Sequence, residues 1–250
     1  MKPVSSDLLL HSTARIAAIH SSIVSCERCP RLRTYCRKIA QEKKKAHRAD
    51  TYWGRPVPGF GDPAARLLLV GLAPAAHGAN RTGRVFTGDG SGDFLMSALH
   101  RTGFANIPTS RSVDDGLQLK DAYILAAVRC APPDNTPLPE EITRCLDHLD
   151  AELEALPNIG VVIALGKIAF DAWLQRLKRR GVVLSPRPQF GHGVSVMHAS
   201  PAGGVSGFSR TVTLIGCYHP SRQNTNTGTL TAPMMESVFR KARRLIDAAI

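Results

Sequence analysis

RLLLVGLAPAAHGANRTGRVFTGD, residues Arg66–Asp89, runs from an unbroken apolar segment into a long loop marked by Gly and Pro. An apolar run of this kind suits a strand covered on both faces, where no position looks out to water. TVTLIGCYHPS, Thr211–Ser221, repeats the arrangement far downstream and ends in His219-Pro220-Ser221. In open α/β sheets, ligands bind just beyond the carboxyl ends of the strands. The two loops are therefore expected to face one cleft; the alternative is that both are ordinary strand-to-helix turns.

The rest of the chain alternates in the same way. Helices are expected at Asp7–Ser25 (apolar at Leu9, Ile16, Ile19 and Ile23), Asp93–Thr102, Pro139–Leu156, from Gly166 to Arg180, and at Ala232–Ala249. Glu140 and Glu141 suit the positive end of the helix that Pro139 begins. Strands are expected at Leu67–Val70, Tyr123–Val128, Val161–Leu165 and Thr213–Cys217. Thr51–Pro63 holds three Pro and three Gly and reads as an irregular loop. Gly181–Gly207 is Gly/Pro-rich without a pattern. Such alternation predicts an α/β fold with a parallel sheet covered on both faces. One domain over residues 1–250 is expected, with residues 1–50 a basic, helical, cysteine-containing segment stapled to it.

Composition limits the function classes. Hydrophobic residues make up 43% and charged residues 21%, and no apolar run is long enough to span a bilayer. No secretory signal is read at the N-terminus, so a cytoplasmic or otherwise reducing location is expected, with no membrane partner. The net charge is +12, and nine basic residues stand against Glu42 alone between Arg28 and Arg48. Lys178-Arg179-Arg180 and Arg240–Arg244 add two more clusters. Charge of this kind fits a polyanion, and it also serves solubility or membrane contact.

Cys26 and Cys29 form a CxxC pair, and fourteen residues separate Cys130 from Cys145. Four thiolates of this kind suit a [4Fe–4S] cluster or Zn²⁺, and spacing does not choose between them. Cys130 and Cys145 also read as plain buried residues. Cys36 could compete as a ligand, Cys217 reads as core, and His47, His148 and His192 are further possible ligands.

The Gly71–Asp89 loop, HPSRQNTNTGTLT (His219–Thr231), YWGRPVPGFG (Tyr52–Gly61), RCAPP (Arg129–Pro133) and the four cysteines together resemble family 5, or type B, uracil-DNA glycosylases. The resemblance runs from about Cys26 to Met235. It implies a four-stranded parallel sheet in a three-layer α/β/α sandwich, and a structural [4Fe–4S] cluster on Cys26, Cys29, Cys130 and Cys145, with zinc the lesser alternative. It also implies hydrolysis of the N-glycosidic bond of uracil, hypoxanthine and xanthine in DNA. The partner would be double-stranded DNA, with single-stranded DNA a second form, and the enzyme a nucleoid-associated monomer. Leu72 and Ala73 stand where several relatives place a water-positioning carboxylate or amide. This agrees with family 5 and not family 4, whose motif has a Glu. The basic loop of the relatives that cross-link to DNA is also missing, so no covalent intermediate is expected.

Under this resemblance His219 would donate a hydrogen bond to the leaving base, the alternative being a histidine that caps its turn. Asn80 or Asp89 would position water, unless the sugar ionises first and loosely held water completes the step. Asn224 would bind backbone or orient water, or be a plain turn residue. Phe86 would stack on the flipped base or belong to the core. Ala73, the amides of Ala75 and Ala76, and Asn135 would line the base site. Arg81, Arg84, Ser221 and Arg222 would contact DNA, the two former otherwise being solvated charges, and Leu230 would fill the vacated stack. Two rivals remain: a non-catalytic Fe–S or Zn nucleic-acid-binding protein, and an Fe–S redox enzyme. The latter is disfavoured because neither GxGxxG after a strand nor a phosphate-binding GKS/T loop is present.

Overall fold

The computed structural model describes residues 6–200 and 211–248. Four parallel strands form the middle of the sheet: β2 (Leu67–Gly71), β3 (Ala122–Ala126), β4 (Val161–Leu165) and β6 (Thr211–Cys217). Two antiparallel edge strands extend it to six, β1 (Phe60–Gly61) on β3 and β5 (Ser195–Ala199) on β6. The order is β1-β3-β2-β4-β6-β5. The expected four-stranded parallel sheet is thus the centre of a mixed one. Both edge strands fall in segments read as irregular. β1 has only two residues, and β5 (SVMHA) carries no clear apolar alternation, with Met197 72% exposed. Residues 201–207 of the Gly181–Gly207 stretch lie outside the described residues.

Alternate residues of each central strand feed opposite cores. Leu67, Leu69, Ile124, Ile163 and Ile215 pack under α4 (Gly90–Arg101) and α8 (Ala232–Ala248). Leu68, Val70, Leu125, Val162 and Leu214 pack under α5 (Pro139–Glu154) and α6 (Lys167–Arg179), with Ile16 of α1 (Ser6–Val24) at the margin. This is the three-layer sandwich. The helix α4 begins earlier than expected because Asp89 caps it, its Oδ1 accepting from the Gly92 N–H at 2.9 Å. The α5 start matches expectation, and the Glu141 carboxylate accepts the Leu138 N–H at 2.8 Å. The side chain of Leu9 and the residue Ala249 lie outside the description. No described helix is long and apolar enough to cross a membrane.

The N-terminal segment is joined through charge. α2 (Pro30–Glu42) sends Arg31 to Glu141 of α5, with Nε at 2.9 Å and Nη2 at 2.7 Å from its two oxygens. Below it, fully buried Glu152 of α5 pairs with Arg129 and accepts from the Gly59 N–H at 2.9 Å and from the Tyr123 hydroxyl at 3.1 Å. His20 of α1 reaches the same carboxylate at 3.2 Å. Replacing Glu152 with Leu should strand the Arg129 charge and lower the unfolding free energy by about 3–5 kcal/mol. Urea unfolding checks this, and a loss below about 1 kcal/mol would contradict it.

Candidate functional site

Because the central strands run parallel and in register, their carboxyl ends share one edge of the sheet. The loop after β2 holds the short helix α3 (Ala79–Thr82), and the loop after β6 leads into α7 (Arg222–Asn226). The two loops meet through a pair of rings: Phe86 and His219 lie with centroids 5.9 Å apart, tilted by 34°. Two glycines, Gly71 and Gly78, make the room, and Gly166 packs against His219 at ordinary contact distance. A Cβ on Gly71 would stand 2.9 Å from the Phe86 ring, and one on Gly166, after β4, would stand 3.4 Å from the His219 Cβ. A Cβ on Gly78 would collide with Asp89 Oδ2 and come within 3.2 Å of the Ala75 Cβ. Phe86 itself sits at φ 50°, a backbone conformation a bulky residue rarely adopts.

The structure thus pairs Phe86 with His219 and sets Asp89 and Ala75 against Gly78 on the loop after β2. Asp89 offers Oδ1 to the helix cap and lays Oδ2 over Gly78. Burial raises its pKa above the ordinary carboxylate range, against the lowering effect of the Gly92 and Ser91 amides. Burial pushes the His219 imidazole down to about 4, which keeps it neutral at physiological pH. The N–H groups of Ala75 and Ala76 have no backbone partner among the described residues. Asn224 fixes the His219 loop, donating from Nδ2 to the His219 carbonyl at 2.8 Å. Ser221 caps α7 by accepting the Asn224 N–H at 3.3 Å. Arg222 is exposed and leans toward Gly90, where a Cβ would stand 3.4 Å from its Nε. Ala73 is half-buried on the same loop, and Asn135 stands exposed on the loop after β3 at φ 55°.

Four expectations change. Leu230 is 1% exposed and packs in the core beneath α4 and α8, so it is not presented to a DNA stack. Arg84 is buried, with Nη2 2.7 Å from Asp115 and 3.0 Å from the Ser110 hydroxyl, so its charge is spent inside the protein. Arg81 is held by Asp50 at 2.8 Å and by the His77 and Gly88 carbonyls. Asn80 is fully buried, and its Nδ2 lies 3.4 Å from the carbonyls of Cys36 and Ala76, so it braces the loop from below. His192 is a support that the sequence did not signal in this role. Its Nδ1 accepts the Tyr218 N–H at 3.2 Å, immediately before His219.

Cys29, Cys36, Cys130 and Cys145 share one small buried cluster with Leu32 and Val128, and Cys26 lies half-buried on the same turn as Cys29. The Arg129 N–H donates to Cys145 Sγ at 3.4 Å, and Arg28 Nε to Cys26 Sγ at 3.4 Å. Among the described residues no three His, Cys, Asp or Glu side chains are grouped to hold a single metal ion. Two buried nitrogens of the Arg129 guanidinium, Nε and Nη1, and the buried His148 Nε2 have no hydrogen-bond partner there.

The imidazole of His219 is expected to titrate near pH 4, because the buried cation is disfavoured. A ¹⁵N NMR titration reads this directly, and a midpoint at the ordinary histidine value would contradict the burial described.

The family model of the uracil-DNA glycosylase superfamily matches residues 58–243. The chain is similar to the type-5 uracil-DNA glycosylase of Mycobacterium tuberculosis, 46% identical over 92% of this chain and 81% of that one. It is equally similar to the type-5 uracil-DNA glycosylase of Thermus thermophilus, 46% identical over 91% of this chain and 97% of that one. The type-4 uracil-DNA glycosylase of Pyrobaculum aerophilum is more distant, 30% identical over 65% of this chain and 66% of that one. The chain is an enzyme of the uracil-DNA glycosylase superfamily and belongs with its type-5 members.

Proposed function

We propose that the chain is a monofunctional DNA glycosylase that hydrolyses the N-glycosidic bond of uracil, and of hypoxanthine and xanthine, in double-stranded DNA, with single-stranded DNA a second substrate form. It would open base excision repair on the nucleoid. The observation that carries this reading is the Phe86–His219 ring pair at the sheet edge. Flipping a base costs a few kcal/mol, least where pairing is already weak. Phe86 would recover about 1–3 kcal/mol by stacking, a contact that tolerates many bases. His219, neutral and held at its carbonyl by Asn224, would donate to the oxygen of the departing base. A preorganised donor of this kind contributes roughly 3–4 kcal/mol. The Ala75 and Ala76 amides would serve the same developing charge.

Water is the remaining reactant. Asn80 faces the protein interior, which leaves Asp89 to orient the water that adds to the sugar carbon and to receive its proton. Ala73 has no group for the task. Arg222 and Ser221 would meet the phosphates, and Asn135 the base edge. A non-catalytic nucleic-acid-binding role explains the charge and the cysteines but leaves the paired rings and buried carboxylate without a purpose.

Base release from duplexes carrying uracil, hypoxanthine, xanthine or only normal bases tests the reading. Release is expected from the damaged duplexes alone, leaving alkali-labile sites. His219→Ala should lower uracil release by about 10²–10³-fold. Asp89→Asn keeps the helix cap and should still slow release, whereas Ala73→Asn should leave it detectable. No release from any duplex, or a His219→Ala variant at the wild-type rate, overturns the proposal.

We also propose that Cys26, Cys29, Cys130 and Cys145 hold a [4Fe–4S] cluster that ties α2 to α5 and the β3 loop. The orphaned N–H groups of Arg129, whose charge acts on Cys145, fit an anionic group there. Four sulfurs around one zinc would stand ~3.8 Å apart, given Zn–S bonds of ~2.3 Å. No such tight grouping is present among the described residues. Protein purified without oxygen should contain about four iron and four sulfide per chain. Zinc in their place would overturn the assignment.

A further inference from the structure

The basic run Arg28–Arg48 is not used by the cleft. Its helix, α2, forms one wall of a separate cavity of about 770 Å³ that is open to solvent and bounded also by α1 and the segment Trp53–Arg55. The lining is unusual in charge. Arg33, Arg37 and Arg55 face Glu27 alone among acidic groups. Arg33, 4% exposed, places Nε 3.4 Å from the Glu27 carboxylate, and Arg37 pairs with the same group. Arg55 has no acidic partner among the described residues, so two positive charges stay uncompensated. A cavity of this size accepts a ligand with a base and a phosphate.

Trp53 supplies the aromatic surface. Its ring is 36% exposed, and its Nε1 donates to the Pro56 carbonyl at 3.1 Å. Its own N–H donates to the Arg81 carbonyl at 2.9 Å, and a Cβ on Gly83 would stand 3.0 Å from its ring. The indole is therefore rigid and rests on the back of the loop that carries Phe86. The Arg55 guanidinium lies over the ring, 5.8 Å from its centroid, and must swing aside from that face for a base to stack there.

We propose that this cavity is a second, non-catalytic site for one unpaired nucleotide of a DNA strand, its base on Trp53 and its phosphate on Arg37 and Arg55. Stacking on an aromatic ring beside arginines is how proteins hold single strands without reading their sequence. The proposal rests on the chain acting on DNA, and uracil release measured on the same preparations reports that function separately.

Only two tryptophans are present, and Trp173 is 2% exposed in the core, so a change in emission on binding reports Trp53. Oligothymidine of about twelve residues, which carries no uracil, should quench that emission saturably. The R37A/R55A variant should lose most of the quenching and release uracil from a short duplex at the wild-type rate. In an anisotropy series with the labelled oligonucleotide, its salt slope should be shallower by about 0.7, the share of the one phosphate that loses its contacts. Equal salt slopes for the two proteins would overturn the proposal. So would thymidine 5′-monophosphate quenching as strongly as the strand at equal nucleotide concentration, since the cavity would then be a free-nucleotide pocket.

Discussion

The buried pair of Arg129 and Glu152 is the constraint on which the N-terminal half of the structure rests. Arg129 sits between the end of β3 and Cys130, and Glu152 lies on α5 seven residues beyond Cys145. One carboxylate therefore fixes the two chain segments that carry two of the cysteines. The same group takes the Gly59 amide, the Tyr123 hydroxyl and His20, which brings the loop before β1 and the helix α1 to one point. Burying both charges is costly, and the arrangement survives because the carboxylate is satisfied from several directions. The guanidinium is satisfied on one side only. Its remaining nitrogens have no partner among the described residues, and its charge acts on Cys145.

The cleft on the other side of the loop depends on shape more than on charge. Gly71 at the end of β2 and Gly78 at the start of α3 each remove a side chain where Phe86 or Asp89 must stand, and Gly166 after β4 holds a φ of 96° beside His219. The parallel order β2-β4-β6 then places the loop after β2 and the loop after β6 across one strand from each other. Desolvation follows from the same closeness. It raises the carboxylate of Asp89 and lowers the imidazole of His219, which stays neutral at physiological pH. Asn224 and His192 hold the His219 segment from two sides without entering the cleft.

The central strands, the helices that cover them and the edge where the site lies were legible because each depends on local pattern. Four unbroken apolar runs, each followed by Gly or a polar loop, leave few alternatives to a buried parallel sheet. The pairing of Phe86 with His219 was legible only as two loops at one edge. The edge strands were not legible, since β1 is two residues long and β5 takes its partner from β6 rather than from an apolar pattern of its own.

The chain by itself determined the α/β order, the family motifs and the cysteine set, because spacing along the backbone is enough to express them. Only the tertiary structure decided which polar residues face the cleft. Arg84 finds Asp115 and Ser110, and Asn80 finds the Cys36 carbonyl, none of them near in sequence, while Leu230 turns into the core under α4 and α8. A motif shows that a residue type is present. Its direction is set by the neighbours that distant segments bring, because a buried polar group is stable only where its hydrogen bonds are met.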